Sequence, residues 1–288
     1  MTTSLPVALT SPLTKAQETS VINLVRRTAR TEIMPLFQNH GVQDVTQKSG
    51  RFDLVTQADL AAEAMLRRGL QQMFPHALIV GEESASEHPD IRTQIAEAEF
   101  CILLDPLDGT WNFSNDLPLF GVILSVTRFG APIFGLLYDP VRDDWISAST
   151  GNGAHKVRQA GTPRPLRMGS EENPKNMSGF IHLHLMPQNV QQALAPHLPQ
   201  FARTQVLNCS CHEYRTLAQG GADFCLSAMM TPWDHAAGII ACQEAGGVAR
   251  MLDGAGYNAG TPQGFLLTAN NEAAWSAVHE TFAFLLEL

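Results

Sequence analysis

The residues with the most to offer chemically lie in the run Leu103 to Phe113, LLDPLDGTWNF. Asp105 and Asp108 stand three positions apart, with Pro106 between them and Gly109-Thr110 directly after. A proline disfavours the helical conformation in the residue before it, so Asp105 belongs to the end of the preceding apolar strand. The spacing then predicts a turn from Asp105 to Asp108 centred on Pro106-Leu107. Such a turn returns Asp108 beside Asp105, with the Leu107 carbonyl between them. Two carboxylates that close repel each other unless a proton or a cation is shared. Gly109-Thr110 would open a short helix whose free N–H groups and dipole suit an anion. Carboxylates beside an anion seat are chemically consistent when cations bridge the two, and Mg²⁺ favours such oxygen donors. Asp, Pro and Gly also make ordinary surface turns, so other residues must decide between the two readings.

Two further acidic positions bear on that choice. Glu82-Glu83 follows the apolar strand ALIV (77–80), either as an exposed loop pair or as a second acidic strand end facing the first. Asp234 follows Trp233 and opens a helical segment, HAAGIIACQEAGG. An acid there can simply stabilise the helix dipole, by less than about 1 kcal/mol at a surface. Taken together, three element ends carry acids, as a multi-metal phosphoryl-transfer site requires. Cys209-Ser210-Cys211-His212 suggests a soft-metal site, but no second paired motif accompanies it, and helix packing is the expected role. His182 and His184 alternate on a predicted strand and are expected to be structural. Trp111 either lines the pocket or packs beneath the turn.

Elements must hold these residues in place. A helical stripe of Val21, Leu24, Val25, Ile33, Met34 and Phe37 predicts a first helix over about 15–39, kinked or ended by Pro35. A polar stretch runs from Gly41 to Arg51. Thr56 with Asp59 resembles a capping box and starts a second helix reaching Phe74. Strands are predicted at 77–80, 100–104, 121–129, 132–138 and 145–149. The Pro-, Gly- and charge-rich stretch 161–175 predicts a boundary, giving an α+β subdomain over 1–160 and an α/β subdomain over 161–288. In the latter, strands near 179–185, 204–208, 222–227 and 264–269 alternate with helices near 188–198, 211–219, 234–245 and from 271, a layered α/β pattern.

Composition narrows the class. The chain has 288 residues, of which 44% are hydrophobic and 16% charged, the proportions of a soluble globular protein. A formal charge of −9 argues against general nucleic-acid binding, although bound cations could still bring in a phosphate. No apolar run is long enough to span a membrane, and the N-terminal MTTSLPVALTSPLTK lacks the features of a signal peptide. Five scattered cysteines read as free thiols in a reducing compartment, so a cytoplasmic location is expected.

These motifs resemble the inositol monophosphatase family of Mg²⁺-dependent phosphatases. The resemblance rests on Gly81-Glu82-Glu83-Ser84, Asp105-Pro106-Leu107-Asp108-Gly109-Thr110 with Asn112-Phe113, and Trp233-Asp234 with Ala237-Gly238. Lys48-Ser49, Asp53-Leu54-Val55-Thr56 with Asp59, and Gly220-Gly221-Ala222-Asp223 extend it over nearly the whole chain. It implies an αβαβα sandwich and a homodimer. It also implies that Glu82, Asp105 and the Leu107 carbonyl hold one Mg²⁺, that Asp105, Asp108 and Asp234 hold a second, and that Glu82 with waters supports a weaker third. Thr110 and Asp59, with Glu82, would serve catalysis by orienting and deprotonating the attacking water. The Gly109 and Thr110 amides would bind phosphate, and Lys48 would lie in a loop approaching the cations. Asp108, Ser210, Ser227 and Asp234 would face the substrate.

The implied reaction is hydrolysis of a small phosphate monoester, an inositol monophosphate or a similar polyol or sugar phosphate. Alternatives on the same scaffold are histidinol-phosphate, fructose-bisphosphate or nucleotide phosphatase activity, or a non-catalytic partner-binding role. Ser227 stands where inositol-phosphate-specific members carry an acid, four positions after the Gly-Gly-Ala-Asp aspartate. No nucleic-acid or membrane partner is expected.

Overall fold

The computed structural model describes residues 13–37, 45–50, 53–159 and 161–288. Helix α1 (Lys15–Thr28) starts at Thr14, which forms a capping box with Gln17, and passes into a π-helical turn over Ala29–Ile33. Regular helix therefore ends ahead of Pro35, whose ring cannot continue the hydrogen-bond ladder. The polar stretch before residue 51 contains a strand, β1 (Val45–Gly50), which pairs antiparallel with β2 (Asp53–Thr56). Lys48 lies on that strand; its side chain and that of Asp53 lie outside the described residues. Helix α2 (Gln57–Met73) begins with the Thr56–Asp59 capping box.

A seven-stranded sheet follows, built from β3 (Leu78–Gly81), β4 (Cys101–Asp108), β5 (Gly121–Arg128), β6 (Ala131–Asp139), β7 (Asp144–Ser149), β8 (Ala154–Arg158) and β9 (Arg164–Pro165). Its strands lie in chain order; β3 and β4 are parallel and every later pair is antiparallel. Helix α3 (Glu82–Glu87) leaves the end of β3, and the short α4 (Thr110–Ser114) leaves the end of β4. The residue 160/161 division falls between the paired strands β8 and β9, inside this sheet.

The second sheet comprises β10 (Ser178–Ile181), β11 (Arg203–Gln205), β12 (Phe224–Ser227), β13 (Val248–Met251) and β14 (Leu266–Ala269), in the order β11-β10-β12-β14-β13. The first three are parallel, and β14 is antiparallel to both its neighbours. Four helices belong to this half: α5 (Gln188–Leu194), α6 (Ser210–Ala218), α7 (Pro232–Glu244) and α8 (Glu272–Phe282). Strand β10 stops at Ile181, so His182 and His184 sit on the turn after it, not on a strand.

Apolar faces assemble these parts into five layers. One face of the large sheet packs Ile102, Leu124 and Phe134 against Val25, Leu66 and Leu70 of α1 and α2. Its other face packs Ile123, Leu137 and Ile146 against Leu217 and Ile240 of α6 and α7. Those two helices also meet the small sheet through Cys225, and Ile239 packs on Ala249 and Leu266. Trp275, Val278 and Phe282 of α8 cover its outer face with Val190 and Leu194 of α5. From Ala236 to Cys242, helix α7 is therefore apolar all round, as a helix between two sheets must be. Gly238 permits the close approach of α6, since a Cβ there would lie 2.0 Å from the Tyr214 ring. The result is the αβαβα sandwich. Among the described residues no helix is long and apolar enough to cross a membrane.

Candidate metal centre

The site forms where β3 and β4 end against the starts of α6 and α7. Strand β4 does not turn at Asp105; it continues to Asp108 through a bulge. Asp105 pairs with Ile123 and Asp108 with Gly121, so three steps on β4 oppose two on β5. In a regular strand, residues three apart face opposite sides. The extra residue restores both carboxylates to one face, and the Leu107 N–H is satisfied by Asp105 Oδ1 at 3.0 Å. The turn expected at 105–108 is thus a bulge, because its flanking residues stay paired to β5.

Parallel register aligns Gly81 with Leu104, which puts Glu82 level with Asp105 at the neighbouring strand end. Asp234 lies in the first turn of α7, after Pro232 at the start of the helix, and bonds the Thr231 hydroxyl. Asp105, Asp108 and Asp234 each offer one oxygen, and the three atoms lie within 4.8 Å of one another. Glu82, Asp105, Asp108, Asp234 and Leu107 all line one cavity of about 430 Å³, a volume suited to a small ligand.

Two backbone devices hold Asp108. Its Oδ1 accepts from the Ser210 amide at 3.1 Å, and its Oδ2 accepts from the Cys211 amide and from Cys209 Sγ at 3.0 Å. The free amides at the start of α6 thus fix a carboxylate. Beyond Asp108, Gly109 has φ 89°, a conformation that a side chain would strain, and a Cβ there would meet the Leu119 carbonyl at 2.8 Å. Thr110 Oγ1 lies 3.1 Å from Asp59 Oδ1 and 3.0 Å from the Leu107 carbonyl. Asp59 itself is buried behind Thr110, its other oxygen accepting the Thr56 amide at 2.8 Å.

The electrostatics favour a cation. Burial, and then the charges of Glu82, Asp108 and Asp234, raise Asp105 well above the usual carboxylate range. Burial and Asp234 raise Asp108 to about 7 against the lowering effect of the Cys211 amide and Cys209. Burial also raises Asp59 to about 6, where it can exchange a proton near neutral pH. Like charges gathered out of water are stabilised by protons or by bound cations, and an all-oxygen donor set fits Mg²⁺.

Gly109, Thr110, Ser210 and Trp111 also line the cavity, as do His182 and His184. Ser227 does not: it is buried, with Oγ 3.4 Å from both the Met229 carbonyl and His235 Nε2. The alternation of β12 turns the side chain toward His235 of α7. The soft-metal candidates disperse: Cys209 bonds Asp108, Cys211 Sγ approaches the Tyr138 carbonyl, and His212 bonds the Phe120 carbonyl.

One buried acid escaped notice in the sequence. Glu63 accepts the Glu83 and Ser84 amides at 2.8 and 3.0 Å, capping α3 and thereby fixing Glu82. Its spacing of four from Asp59 on the buried face of α2 was the available signal.

The sequence profile of the inositol monophosphatase family matches residues 13–286. The chain belongs to that family. An inositol-1-monophosphatase from Synechocystis is 30% identical over 220 residues, covering 74% of this chain and 71% of the relative. The Nus factor SuhB of Escherichia coli K12 is 28% identical over 258 residues, covering 87% and 89%. Among solved structures, the Thermotoga maritima IMPase superposes with a TM-score of 0.76 at 23% identity, covering 92% of this chain and 96% of that one. SaIMPase-II with inositol monophosphate bound gives 0.73 at 20% identity, covering 92% and 95%. These likenesses establish an inositol monophosphatase fold. In this chain Ser227 is turned away from the cavity, and His182 and His184 stand in its wall.

Proposed function

We propose that this family member is a Mg²⁺-dependent phosphatase of small phosphate monoesters, with an inositol monophosphate or a similar polyol or sugar phosphate as substrate. The observation that carries this reading is the convergence of Asp105, Asp108 and Asp234 beside the Thr110–Asp59 pair in one cavity. Glu82, Asp105 and the Leu107 carbonyl would hold one cation, and Asp105, Asp108 and Asp234 a second; Glu82 with waters would support a weaker third. When bound, such cations offset phosphate charge and acidify water. Asp59, with its near-neutral pKa, takes a proton through the Thr110 hydroxyl, which orients the attacking water. The Gly109 and Thr110 amides seat the phosphate, with Ser210 on the substrate side. A homodimer and a cytoplasmic location belong to the same reading.

Cation binding must displace the protons that burial favours on Asp105 and Asp108. Mg²⁺ affinity should therefore rise as pH increases through about 7, by up to about tenfold per unit for each proton displaced. Calorimetry in buffers of different ionisation enthalpy should detect the released protons. Affinity that is flat from pH 6 to 8 would contradict these carboxylates as ligands.

The deciding experiment is phosphate release from inositol 1-phosphate, glycerol 2-phosphate, fructose 1,6-bisphosphate, histidinol phosphate and 2′-AMP, with and without Mg²⁺. Mg²⁺-dependent release is expected, and the panel ranks the alternative substrates. SaIMPase-II has been solved with 2′-AMP bound as well, which keeps nucleotides in the panel. The similarity to SuhB favours a second reading, a role as a Nus factor. Absence of release from every ester would favour it.

A further inference from the structure

The wall of the cavity carries a second ionisable pair that the phosphatase reading leaves unused. His182 is 8% exposed, lines the cavity, and places Nε2 2.7 Å from Glu213 Oε2. Glu213 is 1% exposed, and its Oε1 accepts the Leu207 amide at 2.7 Å. A carboxylate anchored to backbone through one oxygen thus sets its other oxygen against the imidazole as an ion-pair partner. Among the described residues Nδ1 has no hydrogen-bond partner. Burial lowers the tendency of His182 to hold a proton, but the negative charge of Glu213, and then those of Asp234 and Asp108 across the cavity, outweigh it and raise the pKa above the ordinary value.

A metal explanation for this pair fails on distance. Cys225 offers a sulfur within 4.8 Å of the other two donors. Two ligands about 2.0–2.1 Å from a tetrahedral zinc are roughly 3.3 Å apart. The 2.7 Å between His182 and Glu213 is a direct ion-pair contact with no room for a bridging ion.

The remaining polar groups on this wall are His184, Asn208 and Ser210. Burial, and then the charge of His182, lower the pKa of His184, so it stays neutral. Strand β12 reads Phe-Cys-Leu-Ser and brings no carboxylate to the cavity. Polyol hydroxyls bind well to carboxylate acceptors. An imidazole that holds its proton offers a donor, and matches an acceptor, best an anionic one. The Glu213 charge leaves the pair neutral overall, so the match is directional and suits a carboxylate better than a second, dianionic phosphate.

We propose that His182, positioned by Glu213, sets specificity by donating a hydrogen bond to a carboxylate on the alcohol portion of the substrate. The favoured substrates are then phosphate monoesters of hydroxy acids. This rests on the phosphatase reading of the same site. The test compares kcat/KM for 2-phosphoglycerate and glycerol 2-phosphate, which differ by a carboxylate in place of a hydroxymethyl group, with p-nitrophenyl phosphate alongside.

The wild-type protein should favour 2-phosphoglycerate by about fivefold or more, chiefly through KM, as one charge-assisted hydrogen bond allows. His182→Ala and His182→Gln should bring the ratio near one, and Glu213→Gln should lower it through loss of the anchor. A wild-type ratio near one or below, or a ratio unchanged in folded His182 variants, overturns the proposal and leaves the phosphatase reading standing. Failure to hydrolyse all three esters overturns both.

Discussion

Asp105→Asn should lower turnover by about a thousandfold or more, roughly 4 kcal/mol of transition-state stabilisation, while the protein remains folded. The proposed site asks more of Asp105 than of any other residue, since it faces both cations. The amide keeps the shape of the side chain and an acceptor for the Leu107 N–H. It also removes the need to take up a proton, which burial and three neighbouring acids impose on the carboxylate. The cation-free variant should therefore melt no lower than the wild type, and within a few degrees above it. Phosphate release, Mg²⁺ calorimetry and thermal melts monitored by circular dichroism separate these effects. Full activity in the variant would remove the basis for the metal centre, and a collapsed melting curve would make Asp105 a structural residue.

The largest effect on stability is expected at Arg215, in the layer between the sheets. Its side chain is buried on α6, donates to the Leu137 carbonyl at 2.8 Å, bonds Asp144, and lies 3.8 Å from Asp139. Replacement by Met leaves two buried carboxylates with weaker partners. Arg142 reaches Asp139 at 2.8 Å, and Lys156 lies 3.5 Å from Asp144. Those survivors place the loss toward the low end of the range for a broken buried pair, about 3 kcal/mol. In a chain of this size that is a fall in Tm of roughly 6–12 °C. Because α6 also supplies the amides that hold Asp108, Mg²⁺ affinity should weaken alongside. Denaturant unfolding of Arg215→Met, Asp144→Asn and the double variant would give the coupling energy; near-zero coupling would refute the pairing.

Much of the fold is local chemistry and could be read from the chain. The Thr56–Asp59 capping box, the apolar runs of β5 to β7 and the all-round apolar stretch of α7 each state their conformation in neighbouring residues. Short edge strands such as β9, with two residues, carry too little pattern to be seen before their partners are known. The same limit explains the misread turn at Asp105. Pro106 and Gly109 are turn formers locally, but pairing to β5 on both sides of Pro106 converts the turn into a bulge.

By itself the sequence determined which acids were present, at which element ends, and to which family their spacing belongs. A motif is a short-range property, and residues such as Asp105, Asp108 and Gly109 carry theirs within five positions. Only the tertiary structure decided the rest: that Asp234 comes within reach of Asp105, that Glu63 fixes the strand end bearing Glu82, that Ser227 faces α7, and that Glu213 holds His182 in the cavity wall. Those contacts join residues far apart in the chain, and their energies depend on burial and charge that exist only once the layers have packed.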